Sequence, residues 1–156
     1  MSMISQKARY ALRALIALAR ADSMVIAKIA EQQQIPRKFL EQILLDLKHH
    51  GIVASRRGRF GGYVLLMPPD QITFGRILRI VDGPIAPLPC LSRVAYRRCP
   101  DCKSEANCEI RRVFALVADS ARDVLDRITI AEAVAGSELE TKIASRQKGT
   151  RVGKRA

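Results

Sequence analysis

The sequence predicts a mainly α-helical chain with one small β-hairpin and a long late helix. Three observations lead there. Apolar residues recur at helical spacing in several separate segments. One arginine- and glycine-bearing stretch, SRRGRFGGY at residues 55–63, interrupts that texture between two short runs of strand formers. The 156 residues include no Trp and only 4% aromatic residues, so the core is expected to be built from Leu, Ile, Val and Ala, as in a helical domain.

The first helix is expected over residues 3–21. Ile4, Ala8, Ala11, Leu12, Leu15, Ile16 and Ala19 share one face, while Lys7, Arg9, Arg13 and Arg20 fall off it. A short second helix follows in VIAKIAEQQQ and is broken at Ile35-Pro36. Pro36 suits the first turn of a third helix because its missing N–H would have no helical partner there. That helix, PRKFLEQILLDLKHHG, turns Phe39, Leu40, Ile43, Leu44 and Leu47 inward and stops at Gly51. His49 and His50 lie at its end, where capping suits them better than metal ligation.

The hairpin comes next, with Pro68-Pro69 closing it. TFGRILRIVDG reads as a fourth helix from Thr73 to Gly83. PIAPLP is stiff and non-helical, since three prolines remove donors and fix φ. From Glu109 to about Ile128, the residues Ile110, Phe114, Val117, Ala121, Val124 and Ile128 step by four and three, a heptad-like seam suited to a partner helix. Asp123 with Arg127, and Arg122 with Asp126, stand four apart on its flanks as expected ion pairs. A short TIAEAVAG segment follows. From Lys142 onward six Lys/Arg and no acid predict a disordered basic tail. No internal repeat is visible.

The formal charge is +12, with 27 basic against 15 acidic residues. Such an excess favours a polyanionic partner, most simply nucleic acid, with an anionic membrane surface as the other choice. No apolar run approaches the roughly 20 residues of a spanning helix, and ALRALIALA, interrupted by Arg13, does not read as a signal peptide. A cytoplasmic chain without membrane association is expected.

Two helices joined at a proline-marked turn, followed by a basic hairpin, are suited to duplex DNA. A helix fits the major groove, and a β-ribbon tip can reach the backbone or the minor groove. The third helix would enter by its N-terminal end, which carries Arg37, Lys38, Glu41 and Gln42. Arg and Lys suit phosphate or guanine edges, Gln suits adenine, and Glu accepts from cytosine N4. In the hairpin, Arg56, Arg57 and Arg59 crowd a turn that Gly58, Gly61 and Gly62 allow to bend sharply. Each feature alone is compatible with a solvated surface; together with the charge they favour DNA, and composition by itself allows RNA.

All four cysteines, Cys90, Cys99, Cys102 and Cys108, fall within 19 residues at C-x8-C-x2-C-x5-C spacing. In a reducing compartment this density points to metal or redox sensing, not to a disulfide frame. Thiolates suit zinc and iron–sulfur clusters about equally. A zinc ribbon would usually show a second CxxC, and a redox CxxC would need a thioredoxin-like βαβ pattern. Arg97, Arg98 and Lys103 are expected to lower the thiol pKa values and offset cluster charge.

SQKARYALRALIALA, IPRKFLEQILLDLKHHGIV, SRRGRFGGYVLL, ITFGRILRIVDGPIAPLPCLS and the C-x5-C before a long helix resemble the bacterial Rrf-type winged-helix regulator family. That family includes the iron–sulfur cluster regulator, the nitric-oxide-sensing repressor and the rhizobial iron regulator. The resemblance runs from about residue 3 to residue 134, and LEQ, RGxxGGY and GPIAPLPC in that order are specific to it. It implies a winged-helix homodimer on palindromic DNA, with the long helix crossing to the partner and a cysteine loop that carries a 2Fe–2S or 4Fe–4S cluster in the sensing members.

By the same resemblance, Glu41 and Gln42 stand at base-reading positions, Arg57 at the wing arginine, Cys90 at the first ligand and Cys108 at the third. For the second ligand, Cys102 keeps the C-x5-C gap and Cys99 the usual distance from Cys90. The family's histidine ligand falls at Arg111, which cannot coordinate, so an all-cysteine set is preferred.

The resulting organisation is a winged helix-turn-helix domain (1–83), a cysteine loop (84–108), a dimerisation helix region (109–136) and the tail (137–156). The expected protein is a DNA-binding transcriptional regulator and not an enzyme, most simply a repressor, whose affinity follows the state of an iron–sulfur cluster. The alternatives are the same regulator with a structural zinc or a thiol–disulfide switch, or a small redox carrier. No nucleotide-binding glycine motif supports the last, and it leaves the basic hairpin unused.

Overall fold

A computed structural model describes residues 4–59 and 61–136; the basic tail expected at 137–156 lies outside the described residues. Helix α1 spans Gln6–Ala19, α2 Ile26–Gln33 and α3 Arg37–His49. Ser5 starts α1 by accepting the Ala8 N–H at 3.0 Å, which satisfies one of the helix's orphan donors. The same Ser5 hydroxyl donates to the carboxylate of Asp82, and the Ser5 backbone N–H donates to it at 2.8 Å. Pro36 sits one residue ahead of α3, its carbonyl accepting from Phe39 and Leu40. At the far end, the His50 ring lies 2.8 Å from the Asp46 carbonyl and Gly51 takes φ +69, as the stop signal implied.

Strands β1 (Val53–Arg56) and β2 (Gly62–Leu65) pair antiparallel with Val53 opposite Leu65 and Arg56 opposite Gly62. The hairpin is docked: Met24 and Tyr63 exchange both backbone hydrogen bonds, at 3.0 and 2.8 Å, so the α1–α2 connection acts as a third edge. Gly62 is required for this approach. Its φ is +142, and an added Cβ would lie 2.7 Å from the backbone carbon and oxygen of Met24.

Helix α4 (Phe74–Val81) is capped by Thr73, whose hydroxyl accepts from Arg76 N at 3.2 Å. The cysteine-bearing segment begins with a 3-10 turn at Pro89–Leu91 and leads to α5 (Glu109–Leu125) and α6 (Ile130–Ala135). A capping box of Thr129 and Glu132 opens α6.

The core joins α1 to α4, the hairpin and α6, and Leu125 at the end of α5 packs against it. Leu15 and Leu18 of α1, Ile29 of α2, Leu40, Ile43, Leu44 and Leu47 of α3, Ile52 and Val53 at the hairpin, Ile72, Ile77 of α4 and Ile130 of α6 are fully buried. Each such side chain contributes on the order of 1.5–3 kcal/mol by leaving water. It is the expected aliphatic core, although α1 is buried over more than one stripe, Ala14, Ala17 and Leu18 being enclosed as well.

Two local expectations are corrected. Phe39 is not inward: it is 38% exposed and sets its ring edge-on against Tyr10, with centroids 5.9 Å apart. The α5 flank pairs do not form either. Asp126 binds Arg79 of α4, Arg122 turns to Asp119 at 3.0 Å, and Arg127 Nε donates to the Asp123 carbonyl at 2.7 Å. Partners brought by tertiary packing and nearer backbone acceptors displace the i, i+4 contacts, which are worth only ~0.2–0.5 kcal/mol on a helix surface.

Candidate nucleic-acid interface and cysteine loop

Arg37, Lys38, Glu41 and Gln42 are all exposed on the N-terminal half of α3, opposite the buried Leu40, Ile43 and Leu44. Arg37 Nε donates to Glu41 Oε1 at 3.3 Å, an open i, i+4 pair whose two heads are free to exchange partners. Gln42 Nε2 donates to Asp46 Oδ1 at 3.2 Å, and Lys7 Nζ of α1 reaches Asp46 Oδ2 at 2.7 Å. The Lys7 hydrogen bond, ahead of a smaller opposing effect of burial, holds the Asp46 carboxyl below the ordinary range. Lys7 and Asp46 carry no local sequence signal for this; their pairing bridges 39 positions.

Arg56, Arg57 and Arg59 are exposed around the hairpin tip. Lys48 Nζ donates to Ser55 Oγ at 3.0 Å and ties the end of α3 to the hairpin's first strand. Helix face and basic hairpin are thereby carried on one frame.

The cysteines are distributed differently. Cys90 is buried in the 3-10 turn, Cys99 is exposed, and Cys102 and Cys108 are half-buried within hydrogen-bonding reach of each other. Cys108 is the N-cap of α5: its Sγ accepts from Arg111 N at 3.4 Å. Tyr96 donates its hydroxyl to Glu105 across the loop, a bond that also raises the phenol's pKa. Arg111 Nε lies 3.9 Å from Glu105 Oε2 and is buried without a hydrogen bond.

The expectation that neighbouring cations depress the thiols is corrected at Cys102. Burial, then the adjacent Cys108 and Glu105, push this thiol up. Arg98 is occupied elsewhere, its Nη2 donating to the carbonyls of Cys102 and Lys103 at 3.0 and 3.3 Å. Four thiols on one loop suit a cluster or zinc in kind, but Cys90 is buried in its turn and Cys99 exposed. Among the described residues no three Cys, His, Asp or Glu side chains stand together as metal ligands.

The loop is joined to both sides. Arg122 Nη2 donates to the Leu91 carbonyl at 2.6 Å, holding the Cys90 turn against α5 beside the buried Ala118. One turn further along, Asp126 receives both guanidinium nitrogens of Arg79 from α4, at 2.6 and 2.8 Å. Among the described residues the outer face of α5 stays open: Ile110 is 63%, Val117 48% and Val124 45% exposed. Among the described residues no helix is long and apolar enough to cross a membrane.

A helix-turn-helix with a basic hairpin and this α5 arrangement defines a winged-helix transcriptional regulator. The family model Rrf2, described as an iron-dependent transcriptional regulator, matches residues 4–136, and the chain belongs to that family. An rrf2-like HTH-type transcriptional regulator of Rhodobacter capsulatus is 48% identical over 147 residues, covering 90% of this chain and 98% of that one. The structure of CymR, the global cysteine regulator of B. subtilis, superposes with a TM-score of 0.72 at 33% identity, covering 86% of this chain and 98% of that one. The structure of T. potens IscR does so with a TM-score of 0.67 at 28% identity, covering 85% of each chain.

Proposed function

We propose that this regulator binds palindromic duplex DNA as a homodimer in the cytoplasm, without catalysis, and that the cysteine loop tunes its affinity. The carrying observation is the exposed polar row Arg37, Lys38, Glu41 and Gln42 on α3, joined through Lys48 and Ser55 to the arginine-bearing hairpin. Arg37 and Lys38 contact phosphate or guanine, Glu41 and Gln42 read bases, and Arg56, Arg57 and Arg59 reach the backbone or minor groove. The uncovered seam of α5 is the subunit contact, because a stripe of exposed Ile, Phe and Val needs a second apolar surface.

In the reading favoured here Cys90, Cys99, Cys102 and Cys108 hold an iron–sulfur cluster, 2Fe–2S or 4Fe–4S. When bound, such a cluster supplies a centre sensitive to iron supply, nitric oxide and oxidants. The chain's own part is mechanical. Arg122 ties the Cys90 turn to α5, and Asp126 ties α5 to α4, so displacement of the loop alters how α3 is held. Two recognition helices must match about one turn of DNA, so small changes in their separation alter affinity. Repression is the expected sign of regulation.

A second reading, a thiol–disulfide switch, is favoured by the contact of Cys102 with Cys108 and by likeness to the oxidized form of Staphylococcus aureus CymR, at a TM-score of 0.65 and 28% identity. Structural zinc is the third. Anaerobic purification with visible spectroscopy and iron, sulfide and zinc analysis, repeated on Cys→Ala variants, separates them. A brown protein containing iron and sulfide is expected. A colourless zinc protein, or a metal-free one whose Cys102 and Cys108 oxidise together, overturns the cluster.

A further inference from the structure

The two oxygens of Asp46 serve different partners. Oδ1 accepts from Gln42 Nε2 at 3.2 Å and Oδ2 from Lys7 Nζ at 2.7 Å. An ionised carboxylate only accepts hydrogen bonds. The edge of the Gln42 amide that faces Asp46 must therefore be its NH2, and Oε1 must face outward. A terminal amide torsion is otherwise broad and roughly two-fold, so a solitary exposed glutamine offers donor and acceptor in either order. Asp46 removes that ambiguity. Lys7, anchored on α1, keeps the carboxylate in place; both side chains are about one-third exposed or less, at 32% and 28%.

We propose that Asp46, buttressed by Lys7, is a positioning residue for sequence recognition, fixing the Gln42 amide with its acceptor outward and one N–H still free. The inference rests on the reading of α3 as the DNA-recognition helix. A bidentate contact to adenine needs an acceptor toward N6–H and a donor toward N7 in a set order. With one N–H spent on Asp46, Gln42 keeps one of each. The pre-set order spares the ordering cost at the moment of contact and disfavours a base presenting the opposite order.

The test uses the full chain and a pool of duplexes with a randomised central segment, with the bound fraction sequenced for each variant. Gln42→Ala identifies the base position that depends on Gln42. Asp46→Ala is expected to flatten preference at that same position, on the order of fivefold or more, while other positions and the salt dependence stay as in the wild type. Lys7→Met should act in the same direction with smaller effect, and Lys7→Arg should retain the preference. In the Gln42→Ala background, Asp46→Ala should change nothing further.

The inference is overturned if Asp46→Ala leaves that position unchanged, flattens all positions alike, or adds to Gln42→Ala. It is also overturned if Gln42→Ala alters no position while salt-dependent duplex binding persists; DNA binding then stands and only the positioning role is lost. Should Asp46→Ala melt below the assay temperature, Lys7→Met, which keeps the carboxylate, decides by the same criteria. A wild-type chain that enriches no sequence and binds duplexes independently of salt defeats the DNA reading itself.

Discussion

Arg79 and Asp126, 47 positions apart, close a two-bonded fork across the junction of α4 and α5, directly over Gly75. A Cβ at Gly75 would lie 2.1 Å from Asp126 Oδ1 and 3.1 Å from Arg79 Nη1, so fork and side chain exclude each other. Gly75 is the second residue of α4; replacing Gly by Ala where the backbone allows it gains about 0.4–1 kcal/mol, and a partly exposed ion pair contributes up to about 1 kcal/mol.

Gly75→Ala should consequently have a background-dependent effect. In an Asp126→Ala chain it should stabilise by about 0.4–1 kcal/mol by narrowing the unfolded ensemble. In the wild type the gain should shrink or reverse, because the fork must shift. Urea denaturation of the four chains measures the coupling; simple additivity would contradict the geometry.

The fork also sets a pH dependence. Hydrogen bonds from Arg79 hold the Asp126 carboxyl below its ordinary 3.8, and those from Lys7 do the same for Asp46. A carboxyl depressed in the folded chain contributes stability that is fully present above the unfolded value and lost as pH falls through the folded one. The difference in Tm between wild type and Asp126→Asn should therefore be constant above about pH 5 and close as the pH drops below 3.8.

DNA binding should be strongly salt-dependent. For about six phosphate contacts, log K should fall against log salt with a slope near −5. Arg57→Ala should weaken binding across sequences and reduce the slope by about 1, whereas Glu41→Ala should relax base preference and spare more of the nonspecific affinity. Equal loss for both variants on all duplexes would contradict the assignment of hairpin and helix roles.

Gly62→Ala should be more damaging than Gly51→Ala. Both glycines have positive φ, at +142 and +69, but only Gly62 faces an obstacle, the Met24 backbone at 2.7 Å. Gly51→Ala should cost about 1–2 kcal/mol from the left-handed conformation alone. Gly62→Ala adds displacement of the hairpin from the α1–α2 connection, so its urea midpoint should be lower and its DNA affinity reduced. Equal midpoints would show that the Met24–Tyr63 docking contributes little.

The helices were legible because their determinants are local. Apolar spacing marked α1, α3 and α5, and Pro36, Gly51, Thr73 and Gly83 marked boundaries. The hairpin was legible from its glycines. Ligand chemistry was readable from four clustered thiols, but their mutual placement was not, since nothing in C-x8-C-x2-C-x5-C tells which sulfur caps α5. Asp126 was misassigned to Arg122 because sequence spacing favours the neighbour one turn away, while Arg79 arrives only through folding. Phe39 followed the helical stripe but found Tyr10 at its edge instead of space in the core. Lys7 and Asp46 were invisible for the same reason: their relation is created by the packing of α1 against α3.

Ile130 is wholly enclosed among residues of the first half of the chain, and its backbone N–H donates to Ile72 O at 2.8 Å. Thr129 pairs with Thr73 beside it, and Phe74 N donates to Ile128 O at 3.1 Å. During synthesis the leading helices therefore wait for the far side of α5 to emerge before their interior is sealed. The cysteine segment is thus inserted within one packed body, like a staple whose two legs are driven into the same block.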